Sequence, residues 1–266
     1  MSNHLVDIGV NLTDKSFDSD RDQVIERARQ AGIKNLIITG TSIEESENAA
    51  TIAVKHHGCF STAGIHPHHA KEAGSQSYHN LHNLLTRPKV VAVGETGLDF
   101  NRDFSPRPVQ EAVFEKHIEL ALNLGKPLFC HERDASQRFI DIIKPYRDDL
   151  ADVVIHCFTA DRTALYQYLD LDFHIGITGW ICDERRGTHL HDLISDIPPN
   201  RLMVETDAPY LLPRTLSPKP KNRRNEPCFL PEVVSVIAEH TKRTFRQVAE
   251  QTTATAMNFF NLDPSE

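Results

Sequence analysis

The chain has 266 residues, 39% of them hydrophobic and 25% charged, with a formal net charge of −8. Those fractions exclude a disordered chain, a collagen and a small disulfide scaffold. Surface scaling gives roughly 12,000 Å² folded against roughly 44,000 Å² unfolded, which is enough burial for a full core.

The acidic balance argues against general electrostatic attraction to nucleic acid, while leaving room for a local basic patch. No run of about 18 apolar residues exists, so a membrane span is not expected. The opening MSNHLVDIGVNLTDKSFDSDRD lacks a basic n-region, and Asp7 and Asn11 interrupt its apolar stretch, so it does not read as a signal peptide. Cys59, Cys130, Cys157, Cys182 and Cys228 are scattered with no CxxC, a pattern that fits a reducing cytosol and predicts a cytoplasmic protein. The 15 histidines are many for this length and direct attention to metal sites.

Short apolar runs of β type alternate with amphipathic stretches. Leu5–Val10 comes first, followed by DRDQVIERARQAG, where Val24, Ile25, Ala28 and Ala31 share a helical face and Gly32 stops it. Runs at Asn35–Thr39, Cys59–Ile65 and Val90–Gly94 come next. Pro108–Gly125 reads as a helix, with Phe114, Ile118 and Ala121 at helical spacing between a proline start and a glycine stop. Further runs follow at Pro127–Cys130, Val153–Ile155, Phe173–Thr178 and Leu202–Glu205. Thr244 and Gln247 then form a capping-box pattern ahead of a helix through Phe245, Val248, Ala249, Ala256 and Phe259.

Most of the runs lack strict polar alternation, as strands buried on both faces of a parallel sheet do. Eight of them, separated by helical stretches over this length, predict a single α/β domain across 1–266, a (β/α)8 barrel of the TIM type. A doubly wound open sheet is the rival, and no GxGxxG or GxxxxGK(S/T) favours it. The linker-like PRTLSPKPKNRRNEP, Pro213–Pro227, follows the last run and so reads as a long βα loop.

The chemistry-bearing residues sit at or just beyond the carboxyl ends of the runs. They are Glu95 in VGETGLDF, His131 in CHERD, His156 in IHCF, and Glu205 and Asp207 in VETDAP. In a parallel barrel those ends are where active sites are built. Any one of these residues alone reads equally as a cap, an ion-pair partner or a hydrogen-bonded core group. A carboxylate behind an apolar strand, however, is costly unless paired with a cation, and two carboxylates with two imidazoles make a divalent-metal site. His66 and His68 in GIHPHH are either phosphate contacts and proton carriers or an exposed turn. Arg214, Lys219, Lys221, Arg223 and Arg224 form a basic loop that would hold a polyanion backbone or simply be solvated. Arg185 and Arg186 add to it, and Trp180, the sole tryptophan, offers either a base-stacking face or packing. Cys130 and Cys157 adjoin candidate ligands and read as packing residues.

Together GIHPH, VGETGLDF, PLFCHERDA, IHCF and VETDAPYLLP resemble the TatD family of metal-dependent deoxyribonucleases, in the amidohydrolase-like barrel superfamily. They occur in the family's order over residues 64 to 213, and VDIGVNLTD and PKPKNRRNEP extend the likeness to most of the chain. The resemblance implies Glu95 as the central metal ligand, His131 and His156 as ligands of one ion, and Asp207 as a further ligand or the group that orients the attacking water. It places Glu205 behind the ligands or in proton transfer, and His66 and His68 at the scissile phosphate. The family's first strand usually ends in His-x-His, where this chain has Gly9 and Asn11. Fewer imidazoles shift the preference from Zn²⁺ towards Mg²⁺ or Mn²⁺. One firm ion is expected on Glu95, His131 and His156, with a second arriving with substrate on Glu95, Asp207 and phosphate oxygens.

The implied function is a Mg-dependent nuclease, a 3′-5′ exonuclease on single-stranded DNA and also RNA, serving DNA repair or nucleic-acid degradation. Asp207, helped by Glu205, would take the water's proton, and Arg214, Lys221, Arg223 and Arg224 would hold the substrate. Two other readings stay open. One is a metal-dependent deacylase of aminoacyl-tRNA or a small-molecule amidohydrolase. The other is a non-catalytic nucleic-acid-binding barrel. No heptad seam points to a protein partner, so a monomer is the default expectation.

Overall fold

A computed structural model describes residues 4–263. Its eight parallel strands are ordered β1 to β8 in one sheet, the (β/α)8 architecture expected from the alternation. They are β1 (Leu5–Val10), β2 (Ile33–Ile38), β3 (Cys59–Ala63), β4 (Val90–Asp99), β5 (Leu128–Arg133), β6 (Val153–Ile155), β7 (His174–Ile177) and β8 (Leu202–Val204). β1, β3, β4, β6, β7 and β8 are buried at every position, which explains why their sequences carry little polar alternation. The helices are α1 (Arg21–Gln30), α2 (Ile43–Lys55), α3 (Ser75–Leu85), α4 (Arg107–Leu124), α5 (Ser136–Ile143), α6 (Arg162–Asp170), α7 (Thr188–Leu193), α8 (Leu230–Thr241) and α9 (Phe245–Phe259). No helix among the described residues is long and apolar enough to cross a membrane.

The local signals behave as their chemistry requires. Gly125 ends α4 in the left-handed region at φ 61°, where a Cβ would be strained. Thr244 and Gln247 close the capping box of α9. β1 and β6 start and stop at the residues read from sequence. β4 does not: it continues past Gly94 through Glu95 to Asp99. Its pairing with β5 is regular to Gly94↔Phe129, slips at Glu95, and resumes at Thr96↔Cys130. The apolar run ends at Gly94, but the backbone ladder carries on through a bulge.

The described residues divide into two compact units. One comprises Thr39–His156 and Ala160–His174, and so contains β3 to β6. Its core includes Phe114 stacked on Phe139 at 4.7 Å between ring centres. The other takes the described residues up to Ile38, Cys157–Thr159 and those from Ile175 on. There β1 pairs with β2, and β7 with β8.

The chain leaving β8 is tied back to β1. Asp207 N–H donates to Gly9 C=O at 2.8 Å, and Asn11 N–H donates to Ala208 C=O at 2.8 Å. Between them Asp7, fully buried, accepts from the Thr206 N–H at 2.9 Å and from its hydroxyl at 2.5 Å. Burial pushes the Asp7 carboxyl up to about 8, against the pull of the Thr206 donors. The unfolded chain therefore releases this proton first, and between about pH 4 and 8 the native state holds more protons. Stability should fall as pH rises across that window. Asp7→Asn should flatten the slope, as urea unfolding at several pH values will show.

Candidate metal centre

Glu95 stands in the bulge of β4, between two glycines with positive φ, Gly94 at 146° and Gly97 at 132°. A Cβ on Gly94 would lie 2.1 Å from the Phe129 carbonyl oxygen, and one on Gly97 2.0 Å from that of His131. Only glycine allows β4 and β5 to approach this closely while the strand bends. Glu95 itself is 5% exposed.

Three imidazoles converge on one of its oxygens. Oε1 lies 3.0 Å from His131 Nδ1, 3.3 Å from His66 Nε2 and 3.3 Å from His156 Nε2. His66, Glu95 and His131 each offer a ligand atom, all within 4.8 Å of one another. Imidazole nitrogens and a carboxylate gathered this tightly in a buried place fit a divalent cation. The other nitrogen of His131 supports that fit. Nε2 is buried without a hydrogen-bond partner, its nearest acidic neighbour being Asp99 Oδ2 at 3.4 Å.

Protonation follows the same geometry. Burial pushes His66 down to about 4, so it is neutral at pH 7. Burial also lowers His131, but Asp99 and Glu95 outweigh it and bring the imidazole up to about 8. For Glu95 burial acts upward, and the surrounding histidines outweigh it and hold the carboxyl well below the usual carboxylate range. The His66 contribution vanishes where His66 is neutral. Glu95 then owes its ionised state to the remaining imidazoles.

Sequence reasoning named His66, His68, Glu95, His131 and His156, but it missed Asp99. Asp99 Oδ2 is 2.7 Å from His68 Nε2 as well as near His131, and its carboxyl is held below the usual range. The available signal was period two: Glu95, Gly97 and Asp99 alternate onto one face, and the face is recognised only if β4 extends past Gly94. A layer of neutral hydrogen bonds lies behind these groups. His117 accepts from Ile65 N–H at 3.0 Å through Nε2 and donates from Nδ1 to Val113 C=O at 2.7 Å, fixing the residue before His66. Gln110 accepts the Asp99 N–H at 2.8 Å and donates to the Asp99 and Ser105 carbonyls. Ser105 in turn donates to the His68 carbonyl at 3.0 Å.

In the unit containing β8, Asp207 has a positive φ of 53° and accepts from Asn11 Nδ2 at 2.9 Å. Glu205 is fully buried and accepts the Cys157 N–H at 2.6 Å. Cys157 is the residue immediately after His156.

A family model described as "TatD related DNase" matches residues 6–261, and so runs through both units. The chain belongs to the TatD family. A Rahnella protein named "3'-5' ssDNA/RNA exonuclease TatD" is 53% identical over 235 residues, covering 88% of this chain and 89% of the relative. A Klebsiella pneumoniae protein of the same name is 45% identical, covering 97% of this chain and 98% of its own length. The crystal structure of a TatD homologue from Escherichia coli superposes with a TM-score of 0.90 at 25% identity, over 99% of this chain and all of that one.

For this TatD-family chain the first-strand positions Gly9 and Asn11 supply no imidazole, and Asn11 instead holds Asp207. The basic loop divides in two. Lys221 and Arg223 are exposed, and Arg214 binds Glu184 with hydrogen bonds of 2.8, 2.9 and 3.2 Å. Arg224 is turned inward. It makes two bonds to Asp20 at 2.7 and 2.8 Å, one to Glu226 at 2.7 Å, and lies 4.7 Å from the centre of the Phe17 ring. Its side chain is 12% exposed. Arg224→Ala should therefore lower stability by about 2 kcal/mol, less than a fully buried pair because Arg27 still bonds both carboxylates. Arg223→Ala should leave the melting temperature unchanged. Thermal melts of the two variants, side by side, check this.

Proposed function

We propose that this TatD-family hydrolase is a divalent-metal-dependent 3′-5′ exonuclease acting on single-stranded DNA and on RNA. The observation that carries the reading is the buried Glu95 oxygen ringed by three imidazoles. The names of its relatives support the substrate and the polarity. Glu95, His131 and His156 would hold one ion, with His66 beside them. Gly9 and Asn11 supply no first-strand imidazole, which shifts the preference from Zn²⁺ towards Mg²⁺ or Mn²⁺. When bound, such a cation supplies Lewis acidity towards a phosphoryl oxygen.

The chain's own residues do the rest. Asp207 takes the proton of the attacking water, and Asn11 holds its Oδ1 so that the carboxylate keeps one orientation. His68, anchored by Asp99, contacts the phosphate. Glu205 acts through the backbone, fixing Cys157 and with it the segment that carries His156. Lys221, Arg223 and Arg214 hold the phosphates of the strand, with Arg224 bracing their loop from below. The free cysteines suit a cytoplasmic enzyme, with DNA repair or clearance of nucleic-acid fragments as its setting.

The test is hydrolysis of end-labelled single-stranded DNA with Mg²⁺ or EDTA, beside Glu95→Gln. Fragments should shorten from the 3′ end, vanish with EDTA, and fall at least about 10²-fold in rate with the variant. Cleavage that survives the variant would move the reaction elsewhere. Release of amino acid from charged tRNA without DNA cleavage would favour the deacylase.

A further inference from the structure

Trp180, Arg185 and Arg186 lie in the segment that follows β7, and the nuclease reading gives them no task. With Arg214 and the neighbouring Leu211 and Leu212, which follow β8, they line a cavity of ≈ 230 Å³. The floor is Asp183, 4% exposed. Its carboxylate accepts from Arg186 at 3.0 and 3.2 Å and from Arg185 at 3.3 Å, and Arg214 Nε stands 3.6 Å away. Its backbone carbonyl takes the Arg186 and Gly187 N–H groups at 3.2 and 2.8 Å. One buried carboxylate thus holds together three guanidiniums that would otherwise repel each other. The arginines on Asp183 hold its carboxyl below the usual range.

Charge and shape then point to a ligand class. Three cations stand against two carboxylates, Asp183 and Glu184, so the lining keeps a positive excess. Asp183 cannot accept all the N–H groups that three guanidiniums present. Arg186 stands over Trp180, its Cζ 4.4 Å from the ring centre, and sets a cation on an aromatic face. A flat aromatic group next to an anion fits that combination, and each nucleotide of a single strand supplies both. The cavity is also continuous in its lining with a second one of ≈ 340 Å³, bordered by Leu212, Pro213, Arg214, Lys219 and Arg223. Arg214 belongs to both, so a row of cations runs from Arg185 to Arg223 along the two linings.

We propose that the cavity beyond β7 and β8 is a subsite for one nucleotide of the single-stranded substrate. Its phosphate is held by Arg185, Arg186 and Arg214, and its base packs on the Arg186–Trp180 pair. The inference rests on the nuclease reading for its substrate and goes beyond it in giving the strand a base-contacting position.

Trp180 is the only tryptophan, so its emission reports on this cavity alone. Full-length protein in EDTA is titrated with oligothymidylate of about ten nucleotides, a length within the usual range of single-strand sites. Emission should change saturably. In the Arg185→Gln, Arg186→Gln double variant the Kd should rise about tenfold, and the dependence of log K on log salt should weaken by about one for each guanidinium removed. Thymidine 5′-phosphate should alter the emission more than deoxyribose 5-phosphate. Equal effects would overturn the base contact. An unchanged Kd in the double variant, or no emission change at all, would overturn the subsite. Cleavage is measured on the same preparations with Mg²⁺ restored. Cleavage without an emission change refutes the subsite and leaves the nuclease standing, whereas an emission change without cleavage supports the subsite and refutes the nuclease.

Discussion

A carboxylate oxygen shared by three imidazoles is the constraint around which the surrounding structure is organised. Glu95 is cut off from water, and an isolated carboxylate there would be too costly to keep ionised. The cost is offset by the histidines around it. That arrangement dictates backbone. β4 must bulge to turn Glu95 towards the imidazoles, and β5 must come close enough that no side chain fits at Gly94 or Gly97. The GETG sequence is therefore one geometric device, with the acid and its two glycines inseparable.

The groups behind this cluster have the opposite property, constancy of charge. His117 donates with one nitrogen and accepts with the other, and burial pushes it down to about 4, so it stays neutral at physiological pH. Gln110 satisfies three backbone groups without any charge at all. A support that titrated would move Ile65, and with it His66, whenever pH changed. Uncharged, two-sided hydrogen bonds hold the loop while leaving the electrostatics to Glu95, Asp99 and the histidines around them.

How much of this was legible in the sequence depended on whether a residue's role was local. β1 and β6 are bare apolar runs, and their limits coincide with the runs. The capping box at Thr244 and the glycine stop at Gly125 are local backbone chemistry and can be read directly. β4 was cut short because its last five residues, ETGLD, look like a loop by hydropathy; only pairing with β5 makes them strand. Asp99 vanished with that cut. Nothing in GIHPHH states that the His66 ring comes within 3.3 Å of Glu95. Contacts made across strands are set by tertiary register, which spacing within one motif does not encode.

The basic loop shows the same limit for charge. Arg223 and Arg224 are adjacent and chemically identical, yet one is exposed and the other is clamped by two carboxylates and a phenyl ring. What separates them is the acidic Asp20 at the start of α1 and Glu226 two residues on, neither of which a count of positive charges considers. Asn11 makes the complementary point. Replacing an imidazole by an amide reads as the loss of a ligand, but the amide N–H₂ is a donor that a ligating histidine nitrogen cannot be. It restrains the Asp207 carboxylate from the first strand. The end of the first strand thus fixes the direction of an acid where an imidazole would have offered a ligand nitrogen. A carboxylate held at one oxygen keeps one direction, and an acid–base group is useful only in the orientation that meets its partner.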